Sequence, residues 1–152
     1  MNVTCDKPVV RIASLEEILT LRHAVLRPGL PLEAARFTED TAADTFHFGA
    51  FDVAGQAISC VTLLRDHSEN RIVYQLRGMA TAPEHRNRGV GGLLLQLAEH
   101  HLQTHTSAVL IWCNARLAAH RFYLRHGWRI IDGPFDLPPA GPHYRMVRDL
   151  PR

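Results

Sequence analysis

The change in hydrophobic period between residues 72 and 113 restricts the possible folds more than any other feature of the chain. IVYQLRGMAT (72–81) has the composition of a strand, residues 89–104 repeat apolar side chains at helical spacing, and AVLIWC (108–113) is apolar throughout. A continuous apolar run is typical of a central strand covered on both faces. This stretch predicts one strand–helix–strand unit. The apolar face of its helix is predicted to comprise Val90, Leu93, Leu94, Leu97, Ala98 and either His101 or Leu102.

The N-terminal segment predicts a strand followed by a helix. VVRIAS (9–14) has strand composition, and Ser14 with Glu17 has the spacing of a capping box, which begins a helix that extends to about Leu26. RPGLP (27–31) ends this helix, because its prolines and glycine interrupt helical geometry. The apolar face of the helix is predicted to comprise Ile18, Leu21, Val25 and Leu26.

Two hairpins are predicted to flank the central unit. A short helix at LEAARF (32–37) precedes FHFGAFDV (46–53) and QAISCVTLLRD (56–66), which form a hairpin through Ala54-Gly55. On the other side, a helix over about 117–125 is predicted to end at Gly127, a residue suited to left-handed backbone. The closing strands are predicted at WRII (128–131) and HYRMVRDL (143–150), on either side of the segment GPFDLPPAGP.

These elements define the predicted fold class and domain organisation. We expect an α/β (α+β) fold with a mixed, mostly antiparallel central sheet of about six to seven strands and helices on both faces. The 152 residues contain no repeat and no linker, so we expect a single domain, 1–152.

Composition excludes several classes of protein and partner. A formal net charge of +2 is too small to indicate a nucleic-acid surface by itself. No segment resembles a signal core or a membrane span, so we expect a cytoplasmic protein with neither nucleic acid nor membrane as a partner. Cys5, Cys60 and Cys113 are odd in number and widely spaced, which favours reduced thiols over a disulfide framework.

The segment RNRGVGG (86–92) begins the central helix and combines cationic side chains with glycines. Unpaired N–H groups and the positive end of the dipole at a helix N-terminus favour an anion, and glycines let the backbone approach it closely. A tight turn with solvated arginines is the alternative interpretation. A P-loop is excluded because no Gly-Lys pair occurs, and the dinucleotide fingerprint is excluded because Leu94 stands where its third glycine belongs.

Two separate motifs resemble those of the GNAT (N-acetyltransferase) family. MATAPEHR followed by Arg-x-x-Gly-x-Gly at 86–91 resembles the family's motif A. The segment 114–129 resembles a later motif, in which an Asn after a strand precedes a helix with aromatic residues. The matching residues of the second motif are Asn114, Ala119, Phe122, Tyr123, Gly127 and Trp128. The clear resemblance covers roughly residues 70–130.

The resemblance implies a GNAT-like sheet that binds acetyl-CoA where two parallel strands, here ending at Thr81 and Cys113, splay apart. It implies that backbone groups at the end of the first strand pair with pantetheine and that amides of the arginine–glycine segment hold the pyrophosphate. Asn114 is implied to contact either the pantetheine arm or the nucleotide end. The implied cofactor-binding residues are Met79, Ala80, Thr81, Arg86, Asn87, Arg88, Gly89, Val90, Gly91, Gly92 and Asn114.

Acetyl transfer to an amine requires a base, a donor for the developing oxyanion and an acid for the departing thiolate. A backbone N–H near Met79–Ala80 is the candidate oxyanion donor, and Tyr123 occupies the family's position for the acid. A core tyrosine with a satisfied hydroxyl is the alternative interpretation of Tyr123.

The base is unassigned, because the strand QLRGMAT lacks the glutamate that many relatives carry. Glu84 is expected to be solvated, His143 is a candidate, and His47 is a weaker one. For both histidines an ordinary structural or surface role is the alternative interpretation.

Three other groups of residues have both a functional and a structural interpretation. His101 and His105 have the helical spacing of a metal site but no acidic or Cys partner in the nearby sequence, so no metal is expected. Cys113 is expected to be a buried structural thiol and not a nucleophile. The arginines near RPGLP are either an acceptor-recognition surface or solvated helix residues; they are Arg22, Arg27 and Arg36.

The predicted function is acetyl-CoA-dependent transfer of an acetyl group to a primary amine of a small molecule or peptide, by direct attack in a ternary complex. A non-catalytic acyl-CoA-binding module on the same fold is one alternative. A phosphate- or nucleotide-binding protein unrelated to coenzyme A is another. The identity of the amine and the oligomeric state, for which a homodimer is one option, stay open.

Overall fold

The computed structural model describes residues 7–68 and 70–151. The described residues form seven strands, three α-helices and two short 3-10 helices, at Leu32–Ala35 and Pro83–His85. The strands and α-helices are β1 (Val9–Ala13), α1 (Leu15–Leu26), β2 (Phe46–Phe51), β3 (Ala57–Asp66), β4 (Val73–Thr81), α2 (Val90–His105), β5 (Leu110–Arg116), α3 (His120–Arg125), β6 (Arg129–Asp136) and β7 (Pro142–Asp149).

The seven strands form one mixed sheet in the order β1-β2-β3-β4-β5-β7-β6. The pairs β1–β2, β2–β3, β5–β7 and β6–β7 are antiparallel, and β4–β5 is parallel. The parallel rungs join Val73 to Leu110, Tyr74 to Ile111 and Gln75 to Trp112. Both strands continue past the last of these rungs, β4 to Thr81 and β5 to Arg116. The mixed, mostly antiparallel sheet predicted from the sequence is confirmed.

The described chain divides into two compact units. The first unit comprises the described residues of Met1–Leu64 and Gly78–His100, and the second comprises those of Arg65–Arg77 and His101–Arg152. Three elements, β3, β4 and α2, contribute residues to both units. The expectation of a single domain stays a prediction. No helix among the described residues has both the length and the hydropathy needed to cross a membrane.

Helix α1 begins at a capping box, as predicted. The side chain of Ser14 accepts from the backbone N–H of Glu17, and the Glu17 carboxylate accepts from the backbone N–H of Ser14. The predicted apolar face is only partly right, because the fully buried face of the helix comprises Leu15, Ile18, Leu19 and Arg22. Leu21, Val25 and Leu26 are half-buried and pack beside a cluster formed by Ile18, Phe51, Cys60 and Ala80.

One residue that was predicted to lie on the buried face of α2 is exposed. Leu93 is 54% exposed, whereas the neighbouring Leu95 is fully buried. The buried hydrophobic side chains of the helix are Val90, Leu94, Leu95, Ala98 and Leu102. Val90, Leu94, Ala98 and Leu102 are spaced by four residues along one stripe, and Leu93 lies about 100° away from Leu94 around the helix axis. Helical periodicity therefore predicted the helix and most of its buried face, but not the edge of that face.

Strand β5 begins two residues later and ends three residues later than the predicted strand at 108–113. Its burial alternates: Ile111, Cys113 and Ala115 are buried, while Trp112 and Asn114 are half-buried. β5 is a central strand, as predicted, and one of its faces is more deeply buried than the other. Asn114 lies inside the strand and does not follow it.

The C-terminal third contains the other shifted boundaries. Helix α3 begins at His120, three residues after the predicted start, and Gly127 follows it with the expected positive φ of 87°. Strand β6 extends through Asp136, although its sequence contains Gly133 and Pro134. The antiparallel pairing of β6 with β7 accommodates this segment through two register shifts, which place it within the strand.

Candidate active site

Gly78 gives strand β4 an irregular backbone just before the predicted pantetheine-binding residues. Its φ is +63°, a left-handed value that is rare inside a strand. An added Cβ there would lie 3.0 Å from the Phe37 ring and 3.1 Å from Nε of Arg22. The Cys60 thiol donates to the Gly78 carbonyl over 3.5 Å. Gly78 was not among the residues predicted from the sequence, although a glycine within a strand pattern is a signal for a bulge.

The predicted pantetheine-binding residues form the C-terminal end of β4. Ala80 is buried, whereas Met79 and Thr81 are half-buried. The hydroxyl of Ser59 donates to the Ala80 carbonyl over 3.2 Å and lies 2.9 Å from the Thr81 hydroxyl. This end of β4 is thereby held against the buried side chain of Ser59.

Residues 86–89 of the arginine–glycine segment are exposed, and the backbone turns sharply there. Asn87 and Gly89 both have left-handed backbone, with φ values of 62° and 81°. The Nε–H of Arg86 donates to the Thr81 carbonyl over 3.3 Å, which ties the segment back to β4. Among the described residues that are not its immediate neighbours in the chain, none has a heavy atom within 4 Å of the position that a Cβ at Gly89 would occupy. The backbone is therefore open to close approach at Gly89.

The start of α2 has the properties of an anion site. The backbone N–H of Leu93 donates to the Gly89 carbonyl over 3.2 Å, so helical bonding begins there. The amides of Val90, Gly91 and Gly92 precede that bond and have no intrahelical acceptor. They lie at the positive end of the dipole of a helix that is 16 residues long. This geometry favours a negatively charged group in front of the helix.

Asn114 faces Arg145 across the β5–β7 pair. The two residues are register partners, and the Nε–H of Arg145 donates to Oδ1 of Asn114 over 2.9 Å. Arg145 was not among the residues predicted from the sequence. Its register opposite Asn114 depends on the pairing of strands far apart in the chain, which no local pattern contains.

Tyr123 is a buried residue of α3. Its side chain is 6% exposed, and its ring lies 5.2 Å from each of the rings of Phe122 and Trp128, measured between centroids. Burial raises the pKa of its hydroxyl well above the ordinary value, and the nearby Cys113 thiol raises that pKa further. The hydroxyl therefore stays protonated at neutral pH.

His143 is buried on β7, opposite Arg116 of β5. Its Nδ1 lies 2.7 Å from the Gly141 carbonyl oxygen. A carbonyl oxygen can only accept, so Nδ1 carries a proton, and Nε2 is the basic nitrogen of the neutral ring. The ring of Phe135 lies nearly parallel to it at a centroid distance of 6.5 Å.

The other two base candidates have different surroundings. Both ring nitrogens of His47 are engaged, Nδ1 with the Thr62 hydroxyl at 2.8 Å and Nε2 with the Asp40 carbonyl at 2.9 Å. This favours the structural interpretation of His47. Glu84 is exposed in the second 3-10 helix, as expected from the sequence.

The expectation of a solvated or acceptor-binding Arg22 is wrong. Its side chain is 1% exposed and forms an ion pair with Asp40 at 2.7 Å. It also donates to Thr62 and to the Ala35 carbonyl, and its guanidinium carbon lies 4.0 Å above the Phe37 ring. The helical spacing from Ile18 to residue 22 already indicated the buried face.

The remaining arginines of that group are more exposed. Arg36 pairs with Glu33 at 3.0 Å on the surface of the unit, and half-buried Arg27 donates to the Leu26 carbonyl. Neither bond defines an acceptor surface, so that role stays a prediction for these two residues.

Metal and thiol chemistry receive no support from the geometry. The rings of His101 and His105 are stacked at a centroid distance of 4.3 Å. Within residues 7–68 and 70–151, no three His, Cys, Asp or Glu side chains are grouped so that they could hold a metal ion. Burial raises the pKa of the Cys113 thiol to about 12, so the reactive thiolate is disfavoured at neutral pH. Cys60 is likewise a buried free thiol, whereas Cys5 lies outside the described residues.

Comparison with known sequences identifies the family. The model of the acetyltransferase (GNAT) domain matches residues 43–130, from just before β2 into the start of β6. Uncharacterized N-acetyltransferase YitI from Bacillus subtilis (strain 168) is 34% identical over 147 residues, which cover 93% of this chain and 95% of YitI. The chain belongs to the GNAT family of acetyltransferases, and its class of activity is N-acetyl transfer.

Solved structures have the same fold. Escherichia coli ElaA has a TM-score of 0.79 at 16% identity, with 93% of this chain and 99% of that chain covered. An aminoglycoside 6′-N-acetyltransferase complexed with coenzyme A has a TM-score of 0.79 at 11% identity, with 95% and 98% covered. At these identities the likeness concerns the fold alone, and it confirms the predicted GNAT-like sheet.

Proposed function

We propose that the chain transfers an acetyl group from acetyl-CoA to a primary amine of a small molecule or peptide, by direct attack while both substrates are bound. One observation carries the proposal: the exposed backbone of residues 86–89 turns through two left-handed residues into the N-terminus of α2. Amides at the positive end of a helix dipole favour a pyrophosphate. Membership of the GNAT family supports acetyl-CoA as the donor.

The residues of this segment fit a pyrophosphate-bearing donor. Acetyl-CoA supplies an activated thioester at one end and anionic phosphates at the other. The amides from Arg86 to Gly92 would hold the pyrophosphate, and the open space beside Gly89 leaves room for it. The guanidinium groups of Arg86 and Arg88 would add positive charge. Backbone groups of Met79, Ala80 and Thr81 would pair with the pantetheine arm.

Acetyl transfer requires movement of two protons. The amine nitrogen forms a bond to the carbonyl carbon, the carbon–sulfur bond breaks, and the products are an acetamide and a thiol. Tyr123 would protonate the departing sulfur, and a backbone N–H near Met79–Ala80 would stabilise the negative charge on the carbonyl oxygen. Burial keeps the Tyr123 hydroxyl protonated at neutral pH, so the residue carries the proton that the departing thiolate requires.

His143 is the proposed base that takes the proton from the amine. A lysine-like amine has a pKa of about 10.4, so most of it is protonated at neutral pH and cannot attack. The bond from Nδ1–H of His143 to Gly141 leaves Nε2 with a lone pair in the neutral ring. His143→Gln is expected to lower kcat/KM at neutral pH and to recover part of the loss at alkaline pH, where more of the amine is neutral.

One experiment tests the proposed function. Acetyl-CoA is incubated with the protein and a panel of primary amines, including aminoglycosides, polyamines and peptides, and the products are measured by mass. We expect one amine class to gain an acetyl group. In parallel, acetyl-CoA should raise the melting temperature whereas ATP and NAD should not.

The alternatives give different results in the same experiment. Stabilisation by acetyl-CoA without transfer to any amine would favour a non-catalytic acyl-CoA-binding module. Stabilisation by ATP or NAD but not by acetyl-CoA would favour a nucleotide-binding protein unrelated to coenzyme A. Either result would contradict the proposal.

A further inference from the structure

The side chain of Asn114 on β5 is hydrogen-bonded to Arg145 on the neighbouring strand β7. The Nε–H of Arg145 donates to Oδ1 of Asn114 over 2.9 Å, and the two residues face each other in the antiparallel register. Both side chains are half-buried. The contact therefore restricts the rotation of the Asn114 carboxamide.

Arg145 is in turn fixed by contacts on its other side. Its guanidinium carbon lies 4.1 Å from the centre of the Trp112 ring, a cation–π contact. The indole N–H of Trp112 donates to Oδ2 of Asp66 over 2.9 Å. Burial opposes ionisation of Asp66, but hydrogen bonds from Ser68 and Trp112, together with the charge of Arg145, hold its pKa below the usual range. Asp66 is therefore anionic at neutral pH and attracts Arg145.

The chemistry of arginine determines which end of the Asn114 amide faces it. A guanidinium has five N–H donors and no acceptor, so only the amide oxygen can form this hydrogen bond. The amide nitrogen of Asn114, with two N–H groups, then points away from Arg145. The two N–H groups of Asn114 are thereby available to donate to an oxygen of a bound molecule.

We propose that Arg145 is a positioning residue, which holds Asn114 as a hydrogen-bond donor to an acceptor oxygen of coenzyme A. The inference rests on the proposed function, since it assumes that coenzyme A is the bound molecule. The acceptor belongs either to an amide carbonyl of the pantetheine arm or to a phosphate, both of which present unprotonated oxygens.

The test is a double-mutant cycle read by the binding of coenzyme A in a calorimeter. Asn114→Ala and Arg145→Met are each expected to weaken binding about tenfold, the effect of one hydrogen bond of ~1.4 kcal/mol. The double variant is expected to bind no more weakly than Asn114→Ala alone, because a positioning residue has no effect once its target is gone. Arg145→Lys, which keeps a charged donor, should recover part of the loss.

Asn114→Asp tests whether the N–H groups of Asn114 donate a hydrogen bond to coenzyme A or whether contact between residue 114 and Arg145 is sufficient for binding. The aspartate keeps an acceptor for Arg145 but has no N–H to donate, so it should bind coenzyme A as weakly as Asn114→Ala or more weakly. Arg129→Met is the matched control, because Arg129 forms an exposed ion pair with Asp149 on the same hairpin. We expect this control to bind as the wild type does. Melting temperatures of all variants establish that each is folded.

The outcomes separate the inference from the proposed function. If the wild type does not bind coenzyme A, both fail. If the wild type binds and the losses of Asn114→Ala and Arg145→Met multiply in the double variant, Arg145 acts independently of Asn114 and the inference alone is overturned. Unchanged binding by Arg145→Met or tight binding by Asn114→Asp would overturn it as well.

Steady-state kinetics with two acetyl donors, acetyl-CoA and S-acetylpantetheine, identify which oxygen of the cofactor accepts the hydrogen bond from Asn114. S-acetylpantetheine lacks every phosphate of acetyl-CoA. A rise of KM in Arg145→Met for both donors would assign the oxygen to pantetheine, and a rise for acetyl-CoA alone would assign it to a phosphate. Both results support a positioning role, whereas a fall of kcat with neither KM changed would contradict it.

Discussion

The surroundings of Tyr123 decide what its hydroxyl can do. Burial among aromatic rings keeps the group neutral, because an ionised phenol in that position would lose its hydration. A neutral phenol can donate its proton once the carbon–sulfur bond breaks, because the thiolate that forms is a stronger base than the thioester sulfur. The burial of the residue is therefore compatible both with a core role and with the acid role, and a substitution distinguishes them.

Tyr123→Phe is expected to lower kcat by about 100-fold, the lower range for loss of a general acid, with little change in KM for acetyl-CoA. Steady-state kinetics with the preferred amine provide the measurement. Tyr74→Phe is the control, because Tyr74 is another buried tyrosine, 3% exposed, and should leave kcat unchanged. Equal kcat values for Tyr123→Phe and the wild type would remove Tyr123 from the mechanism.

The close packing and the positive φ at Gly78 make the stability of the protein sensitive to substitution at this position. Gly78→Ala is expected to destabilise the protein by about 1–3 kcal/mol, because the added methyl group would meet the Phe37 ring and the backbone has a positive φ. Gly29→Ala isolates the backbone part, since Gly29 has a φ of +80° and nothing within 4 Å of the added atom. Urea unfolding should give a larger loss at Gly78 than at Gly29. The reverse order would mean that packing at Gly78 is loose.

At the scale of elements, α1 is attached to the segment after it by a buried polar network. Arg22 reaches from α1 to the carboxylate of Asp40, to the carbonyl of Ala35 and to the hydroxyl of Thr62. His47 closes the network by bonding to Thr62 and to the Asp40 carbonyl. The segment between α1 and β2 is therefore attached to α1 and β3 by buried side chains, in addition to the backbone hydrogen bonds of its own turns.

Asp40→Ala is expected to cost about 3–5 kcal/mol of unfolding free energy, because it leaves the buried charge of Arg22 without its partner. Asp149→Ala removes the exposed partner of Arg129, whose side chain is 61% exposed, and should cost about 0–1 kcal/mol. Chemical denaturation measures both. A pair of apolar replacements, Arg22→Met with Asp40→Leu, should recover part of the loss. Equal losses for Asp40→Ala and Asp149→Ala would contradict the account of the network.

The order of elements could be predicted from the sequence because each depends on local signals. The capping box at Ser14, the glycine turn at Gly55 and the helical repeat after Gly89 are all contained in short stretches. The partners across the sheet are not. The pairing of Asn114 with Arg145 depends on strand register, and the ion pair of Arg22 with Asp40 depends on how α1 is rotated.

The candidate cofactor-binding residues between 79 and 92 could be selected from the sequence because they are contiguous, and their role stays a prediction. Their left-handed turns at Asn87 and Gly89 agree with a loop built for close backbone approach. The base could not be predicted, because no local pattern tells whether a histidine nitrogen is already bonded. In the structure both ring nitrogens of His47 are bonded, whereas the bond from His143 to Gly141 uses Nδ1, and the role of His143 as the base stays a proposal.

At the scale of the whole molecule, two buried thiols predict the response to alkaline pH. Burial raises the pKa of Cys60 and of Cys113 from 9.0 to about 12. Between these values the folded protein retains protons that the unfolded chain loses. Stability is therefore fully present below pH 9 and falls as pH rises, by about 1.4 kcal/mol per pH unit for each thiol.

Urea unfolding at pH 8, 9, 10 and 11 measures this slope. The double variant Cys60→Ala/Cys113→Ala should have a lower stability at pH 8 and a shallower decline above pH 9. A decline as steep as that of the wild type would show that other groups cause the alkaline sensitivity.

The central claim is that the loop at 86–92 holds the pyrophosphate of acetyl-CoA so that an amine can take the acetyl group. The most direct test compares the wild type with Gly89→Val in acetyl-CoA titrations and in mass-detected transfer to the preferred amine. Valine is disfavoured at the positive φ of Gly89 and would fill the open space in front of α2. We predict that the wild type binds acetyl-CoA and acetylates an amine, and that Gly89→Val, although folded, loses at least about tenfold in affinity. Unchanged affinity in Gly89→Val, or no acetylated amine from the wild type, would contradict the claim.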